Sequence, residues 1–301
     1  MVDGVYDSDP NRQMLLIREA FKNASKVLVY IPKEGTKAVA KHELEPNLTA
    51  TAKHGGTRGN ALTVTVVANP VGGFDVTVSL AGNTAAYYEG LSTVDDLIAQ
   101  DCEYVTFTGS GALAAIAAMN LTGGTDATVQ NDDLTTFMDT WEKVKFNTVA
   151  MPVTDSSMKA AIKTKIKYLR ESMGRGVQAV VPDFPADYEG IISIKNGYAI
   201  DNDKLSAAEA TAWVAGASAG ASYVESLTYD AVDGATDLVD ALTHEEYVDA
   251  INKGHFAFSI SEENKVIVEY DINSLTSFKQ PKDETYRKNR VVRVMDTFQE
   301  L

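Results

Sequence analysis

The spacing of apolar positions divides the chain into stretches of different character. Met14, Ile17 and Phe21 recur at helical spacing behind Asp9, which can cap a helix, and Pro10, which suits its first turn. The run VLVYI at residues 27–31 is rich in β-branched side chains, is stopped by Pro32, and predicts a short buried strand. From about residue 48 to residue 125 apolar and polar positions alternate. Residues 62–67 read LTVTVV and residues 74–80 read FDVTVSL, with the turn-forming stretch NPVGG at 69–73 between them. Residues 105–107 (VTF) form a further strand, ahead of the loop at Gly109, Ser110 and Gly111. Short strands at regular intervals imply a small β-sandwich or barrel.

Beyond residue 130 helix and strand alternate. Asp132 or Asp133 opens a helix carrying Leu134, Phe137, Met138 and Trp141, and a strand follows at 146–151, ended by Pro152. The next helix presents Met158, Ile162, Ile166 and Leu169 on one face and displays Lys159, Lys163, Lys167 and Arg170 elsewhere. Gly174 and Gly176 can end it before a buried strand at 177–181. This is a βαβ unit, which leads to a parallel sheet covered by helices. The first strand has no crossover helix until residue 132, so residues 48–125 read as a domain inserted into an α/β domain made of 1–47 and 126–301.

Capping boxes mark two more helices, Ser206 with Glu209 and Thr243 with Glu246, the second ended by Gly254. In the first of them Trp213, Gly216, Ala217, Gly220 and Ala221 share a face whose small residues allow close packing on a sheet or a helix. Strands follow at 255–260 and 266–270, and a last helix runs from about Asn289 to Leu301 with Val291, Val294, Met295 and Phe298 facing inward.

Composition narrows the function. Hydrophobic residues are 45% and charged residues 23%, which suits a soluble globular chain, and no apolar run reaches the length of a membrane span. The polar, acidic start MVDGVYDSDPNRQ does not read as a secretory signal. A net charge of −15 disfavours nucleic acid as a partner. The single cysteine, Cys102, excludes an internal disulfide framework and multi-cysteine metal sites, and fits a reducing compartment.

The sharpest enzymatic signal is Gly216-x-Ser218-x-Gly220, the pattern of a hydrolase nucleophile elbow, with His244 and His255 downstream. The residues before it look helical, so packing is the preferred reading and a serine hydrolase the alternative. Ser156 and Lys159 match S-x-x-K without partner motifs, and His54 in HGGT has no serine segment to answer it. His42, His54, His244 and His255 lack metal-ligand spacing, and Asp201, Asn202 and Asp203 start like a calcium loop that Leu205 interrupts. The glycine-rich turns at 55–59 and 109–111 lack the lysine of a phosphate cradle. Tyr87 and Tyr88 suit strand packing better than a carbohydrate-binding surface. The basic segment Lys279, Lys282, Arg287, Lys288, Arg290 and Arg293 stands out from an acidic chain as a candidate contact with an acidic neighbour.

Several segments together resemble the tail sheath proteins of contractile phages, prophages and phage-tail-like bacteriocins. They are 56–64 (GTRGNALTV), 121–125 (LTGGT), 146–152 (FNTVAMP), 187–197 (DYEGIISIKNG), 210–220 (ATAWVAGASAG), 225–229 (ESLTY), 271–278 (DINSLTSF) and 288–294 (KNRVVRV). The resemblance implies a subtilisin-like α/β domain without a protease triad, carrying an inserted β-sandwich domain. It implies a structural subunit without catalytic, metal or cofactor site. Its partners would be neighbouring sheath subunits in hexameric rings, the tail tube protein and the baseplate, in a virion tail or bacteriocin particle assembled in the host cytoplasm. Neither nucleic acid nor membrane is an implied partner. Arg287, Lys288, Arg290 and Arg293 are the expected tube or neighbour contacts. Complete sheath proteins carry further segments at both ends that join subunits, so this shortened chain is expected to be a monomer or a small oligomer.

Overall fold

The computed structural model describes residues 14–42, 47–200 and 203–300. Asp9 and Pro10, expected to open the first helix, lie outside the described residues, as do Asp201 and Asn202. The chain forms two compact units. The first includes Ile31–Leu134; the second joins Met14–Tyr30 to Thr135–Leu301.

In the second unit the first helix is α1 (Leu15–Phe21). The residues after it do not form the expected strand. Residues 26–31 take no regular secondary structure and pair with no strand among the described residues, and Leu28, Val29, Tyr30 and Ile31 are exposed. Propensity marks these residues as strand formers, but a strand also needs a neighbouring backbone, and none of the described residues supplies one at this place.

The first unit is mainly β. Strands β1 (Lys37–His42) and β2 (Asn47–Gly55) precede β3 (Leu62–Ala68), β4 (Phe74–Leu80) and β5 (Asn83–Leu91). After the short helix α2 (Val94–Ile98) come β6 (Val105–Ser110) and β7 (Ile116–Asn120). Two antiparallel sheets result, ordered β1-β2-β6 and β5-β4-β3-β7. Alternation sends Leu48, Ala50, Leu62, Val64, Val66, Val76, Val78, Val105 and Phe107 into one shared core, the arrangement of a β-sandwich. Cys102 is buried in that core. The β3–β4 turn is held by Asn69, whose Oδ1 accepts from the Val71 amide at 2.8 Å and whose Nδ2 donates to Asp75 at 2.7 Å. Ala81 and Gly82, both at positive φ, make the tight β4–β5 turn.

The second unit is mixed α/β. Helix α3 (Asn131–Thr140), across which the division falls, leads to β8 (Thr148–Ala150), shorter than the expected 146–151. The helix α4 (Ser156–Glu171) crosses to β9 (Gln178–Pro182), completing the βαβ unit, and β10 (Ile191–Ile194) follows. Next come β11 (Gly197–Ile200), β12 (Asp203–Leu205), α5 (Ala207–Gly220), β13 (Ala235–Val239) and α6 (His244–Asn252). The expected strand at 255–260 is divided at Ala257. Its first part, β14 (His255–Phe256), joins β10, whereas β15 (Phe258–Ile260) pairs with β16 (Val266–Val268). The last helix is α7 (Asn289–Glu300).

One four-stranded sheet, ordered β14-β10-β9-β8, is parallel throughout. Every residue of β9 and β10 is buried, as both faces are covered. Val180, Ile192 and Ile194 face a core shared with Trp213 and Val214 of α5. Alternation turns Ala179 and Val181 to the other face, where α4 packs through Ile162 and Ile166. Two smaller sheets, β12-β11-β13 and β15-β16, are antiparallel.

Both capping boxes form, at Ser206 and at Thr243, and Gly254 ends α6 at φ 81°. The lysines of α4 are not all displayed. Lys159 is buried, its Nζ donating to the Asp183 carbonyl at 3.3 Å, because its long stem can cross apolar surface to reach an acceptor.

The small face of α5 packs against α1 and the turn after it. A Cβ added at Gly216 would lie 2.2 Å from the Ala20 carbonyl oxygen, and one at Gly220 would lie 2.2 Å from that of Asn23. Gly216→Ala should therefore push α1 off α5 and cost about 1–3 kcal/mol of stability, read as a lower urea midpoint. A midpoint equal to the wild type would show that the approach is slack.

Candidate functional site

Ser218 is not on an elbow between strand and helix. It occupies the last turns of α5, is buried, and its Oγ lies 3.4 Å from Nη1 of Arg293. His244 opens α6 on the surface, and His255 is engaged elsewhere. The G-x-S-x-G spacing thus serves helix packing. Ser156 and Lys159 sit in the first turn of α4, which Asp155 caps through the Met158 amide at 2.9 Å. His54 is exposed on β2, 4.0 Å from Glu34. Tyr87 is exposed and donates to Asp75 at 2.8 Å, whereas Tyr88 packs on the sandwich core. Among the described residues no group of three or more His, Cys, Asp or Glu can hold a metal, and no helix is long and apolar enough to cross a membrane.

A polar constellation that sequence spacing did not reveal lies at the carboxyl ends of the parallel strands. Ser193 and His255 are neighbours in register across β10 and β14. The Phe184 amide donates to Ser193 Oγ at 2.7 Å, and the same hydroxyl is hydrogen-bonded with His255 Nδ1 at 2.8 Å. His255 Nε2 lies 3.8 Å from Asp183 Oδ1. The order Ser–His–Asp invites comparison with a catalytic triad, but Ser193 is wholly buried and its hydroxyl has no approach for a substrate. Burial pushes the His255 pKa down to about 4. Burial would raise the Asp183 carboxyl, but Lys195 Nζ at 3.0 Å outweighs it and holds the group below its usual range. Asp183 also sits at φ 41°, a backbone conformation that non-glycine residues seldom adopt.

The four basic residues expected to meet a partner separate into two pairs. Arg293 faces the interior of the unit. Its Nη2 donates to the buried Asp271 carboxylate at 2.8 Å and to the Glu225 carbonyl at 2.8 Å. Asp271 also accepts from Asn289 Nδ2 at 2.8 Å and from the Leu227 amide at 3.1 Å. One turn on, Asp296 receives both Nη groups of Arg170, at 2.7 and 2.9 Å. Arg287 is half-buried; burial lowers its pKa, and its Nε and Nη2 have no hydrogen-bond partner among the described residues. Lys288 and Arg290 are exposed and remain available to a neighbour.

These bonds reset the phase of α7. The inward stripe is Asn289, Val292, Arg293 and Asp296, one residue out of step with the apolar stripe expected from Val291, Val294, Met295 and Phe298. Two ion pairs turned inward fix the rotation and leave Met295 exposed and Phe298 70% exposed. Beside this helix a cavity of about 140 Å³ is lined by Asn147, Gln178, Ser218, Tyr223, Arg293 and Asp296, among others. The loop after α5 holds Tyr223, Val224 and Tyr229 in solvent. No periodicity marks such a loop, and only its residues 225–229 stand out in the sequence, as part of the resemblance.

Comparison with known proteins bears on what these surfaces are for. A family model described as the phage tail sheath protein central domain matches residues 127–274, and one described as the phage tail sheath protein beta-sandwich domain matches residues 33–126. Two proteins of Bacillus subtilis, the uncharacterized protein YqbK and the phage-like element PBSX protein XkdK, are each 37% identical over 97% of this chain. The chain spans 66% of the length of either, just under two thirds. The solved sheath tail protein of Desulfitobacterium hafniense is 40% identical, with a TM-score of 0.91 over 97% of this chain and 69% of its own. That of Listeria innocua is 36% identical, with a TM-score of 0.82 over 96% and 66%.

Two outcomes follow from the buried polar groups. Arg293→Met should strand Asp271 and cost about 3–5 kcal/mol, whereas Arg290→Met should stay within about 0.5 kcal/mol, both read by urea unfolding. Because His255 binds its proton less readily folded than unfolded, stability should fall as pH drops from about 6.5 to about 4, by up to about 3 kcal/mol. His255→Gln should flatten that slope; an unchanged slope would assign it to the carboxylates.

Proposed function

This chain belongs to the phage tail sheath protein family, and we propose that it is a structural subunit of a contractile sheath that polymerises around an inner tail tube and contracts to drive the tube through a target cell envelope. The observation that carries the reading is the match to the Desulfitobacterium hafniense sheath tail protein across nearly the whole chain. Two compact units suit a machine that works by rigid-body rearrangement between packings.

In this reading the α/β unit is a subtilisin-like scaffold with the sandwich domain inserted, the expected bounds of 48–125 widening to about 31–134 because β1 pairs with β2 in the sandwich. The helix-covered parallel sheet supports the first part. The departure of the chain from that unit after Tyr30 and its return at Thr135 support the second. The partners are neighbouring subunits in hexameric rings, the tail tube protein and the baseplate. The place of work is a virion tail or bacteriocin particle assembled in the bacterial host cytoplasm. A hydrolytic role for Ser218 finds no support in its buried helical setting. Lys288 and Arg290 are the surface charges through which the tube or a neighbour would be met.

Electron microscopy tests the proposal. The chain, extended by the regions that its longer sheath relatives carry and expressed with a tube protein, should form striated tubes or rings. Dispersed particles alone would overturn the sheath reading. In that setting the double change Lys288→Glu and Arg290→Glu should lower the assembled fraction about tenfold, and unchanged assembly would remove this surface from the contact.

A further inference from the structure

The sequence favours packing for Tyr87 and Tyr88 alike, and the structure grants it to Tyr88 alone. Tyr87 stands on the outer face of the sandwich sheet β5-β4-β3-β7 and is 53% exposed. Register places its neighbours on that face. Thr77 is directly opposite it on β4, Thr65 is opposite Thr77 on β3, and Ser79 and Thr63 form the adjoining pair. The hydroxyls of Thr77 and Ser79 have no partner among the described residues. The ring of Tyr87 is held from its hydroxyl edge. The hydroxyl donates to Asp75 Oδ2 at 2.8 Å, and Asp75 Oδ1 accepts from Asn69 Nδ2 at 2.7 Å and from the Gly90 amide at 3.1 Å. Asn69 Nδ2 also lies 3.4 Å from Glu89 Oε1. An aromatic ring is thus fixed in orientation by bonds that leave it exposed.

We infer that this face is a binding site for a neutral polysaccharide, with Tyr87 as the platform on which a pyranose ring stacks. A sugar ring offers C–H bonds on its faces and hydroxyls around its rim. An aromatic ring meets the first, and the threonine hydroxyls and carboxylates beside it meet the second. Tyr87, Thr77 and Thr65 follow one another across three strands over about 10 Å, the length of a short oligosaccharide. Charge selects the class of sugar. None of the four strands of this sheet contains a lysine or an arginine. Phosphorylated or uronic-acid glycans therefore find no counter-charge on these strands and meet Asp75 and Glu89 instead. Holding the ring beforehand lowers the ordering cost of binding. The face lies wholly within the sandwich unit, and the inference does not depend on the sheath reading.

Nuclear magnetic resonance titration of the intact chain tests the site. The neutral probes are maltohexaose, cellohexaose and the hexamer of N-acetylglucosamine, each raised to about 10 mM, and hexagalacturonate is the acidic one. At least one neutral probe should shift the amides of residues 65, 77 and 87 saturably, and hexagalacturonate should not. Tyr87→Ser should weaken that binding about tenfold or more. Tyr87→Phe, which keeps the ring and loses the bond to Asp75, should stay within about threefold of the wild type. Tyr229→Ser, a change of an exposed tyrosine in the other unit, should leave the binding unaltered. The rest of each variant's amide spectrum reports that the fold is intact. Shifts from none of the neutral probes, shifts confined to other surfaces, or wild-type binding by Tyr87→Ser would overturn the inference. Hexagalacturonate binding as tightly as the neutral probes would overturn the assigned class of ligand.

Discussion

The α/β unit depends on the close burial of one helix, α5. Every residue from Ala210 to Ser218 is buried, so the helix has no solvent face to satisfy. Strands β8, β9 and β10 lie against it on one side, and α1 approaches its glycines on another. Thr148 of β8 donates to the Ala215 carbonyl at 2.7 Å, and Arg293 of α7 reaches Ser218 near its end. Small side chains are required at each of these approaches, and they explain why a stretch with the letters of a nucleophile elbow is a packing element. The N-terminal capping box completes the arrangement by satisfying amides that no later turn of the helix can reach.

The terminal helix shows a different economy. Its attachment is mainly polar, through Asp271 with Arg293 and Asp296 with Arg170, with Val292 as the buried apolar contact. Buried ion pairs contribute little net stability against a well-packed apolar core, but they tolerate few alternative geometries. The rotation of α7 is fixed by donors and acceptors that must meet, and its apolar residues are thereby left facing outward. In a protein whose relatives are sheath proteins, an element held by directional bonds and displaying Met295 and Phe298 suits contact with further polypeptide.

Much of the fold was legible because it rests on local rules. The capping boxes at Ser206 and Thr243, the glycine stop at Gly254, the alternation in β3 and β4 and the βαβ unit all appear where the residues place them. The failures share a cause, since each depends on a partner distant in sequence. The run at 27–31 has the propensity of a strand but pairs with no neighbour among the described residues. The phase of α7 is set by Arg170 and Asp271, far from the helix in sequence. Lys159 is drawn inward by a carbonyl on another element. Ser193 and His255 meet only through the register of parallel strands. Of the basic residues singled out as a contact, charge composition alone could not separate the inward Arg293 from the exposed Lys288 and Arg290.

Cys102 lies in the sandwich core and is the one thiol in the sequence. Its reaction with a maleimide or a disulfide reagent therefore requires that the sandwich open, and the labelling rate becomes a clock for that event alone. The α/β unit contributes no background to the signal. The opening free energy of one unit can be followed in the intact chain, and under assembly conditions the same clock would register whether the sandwich tightens when copies meet.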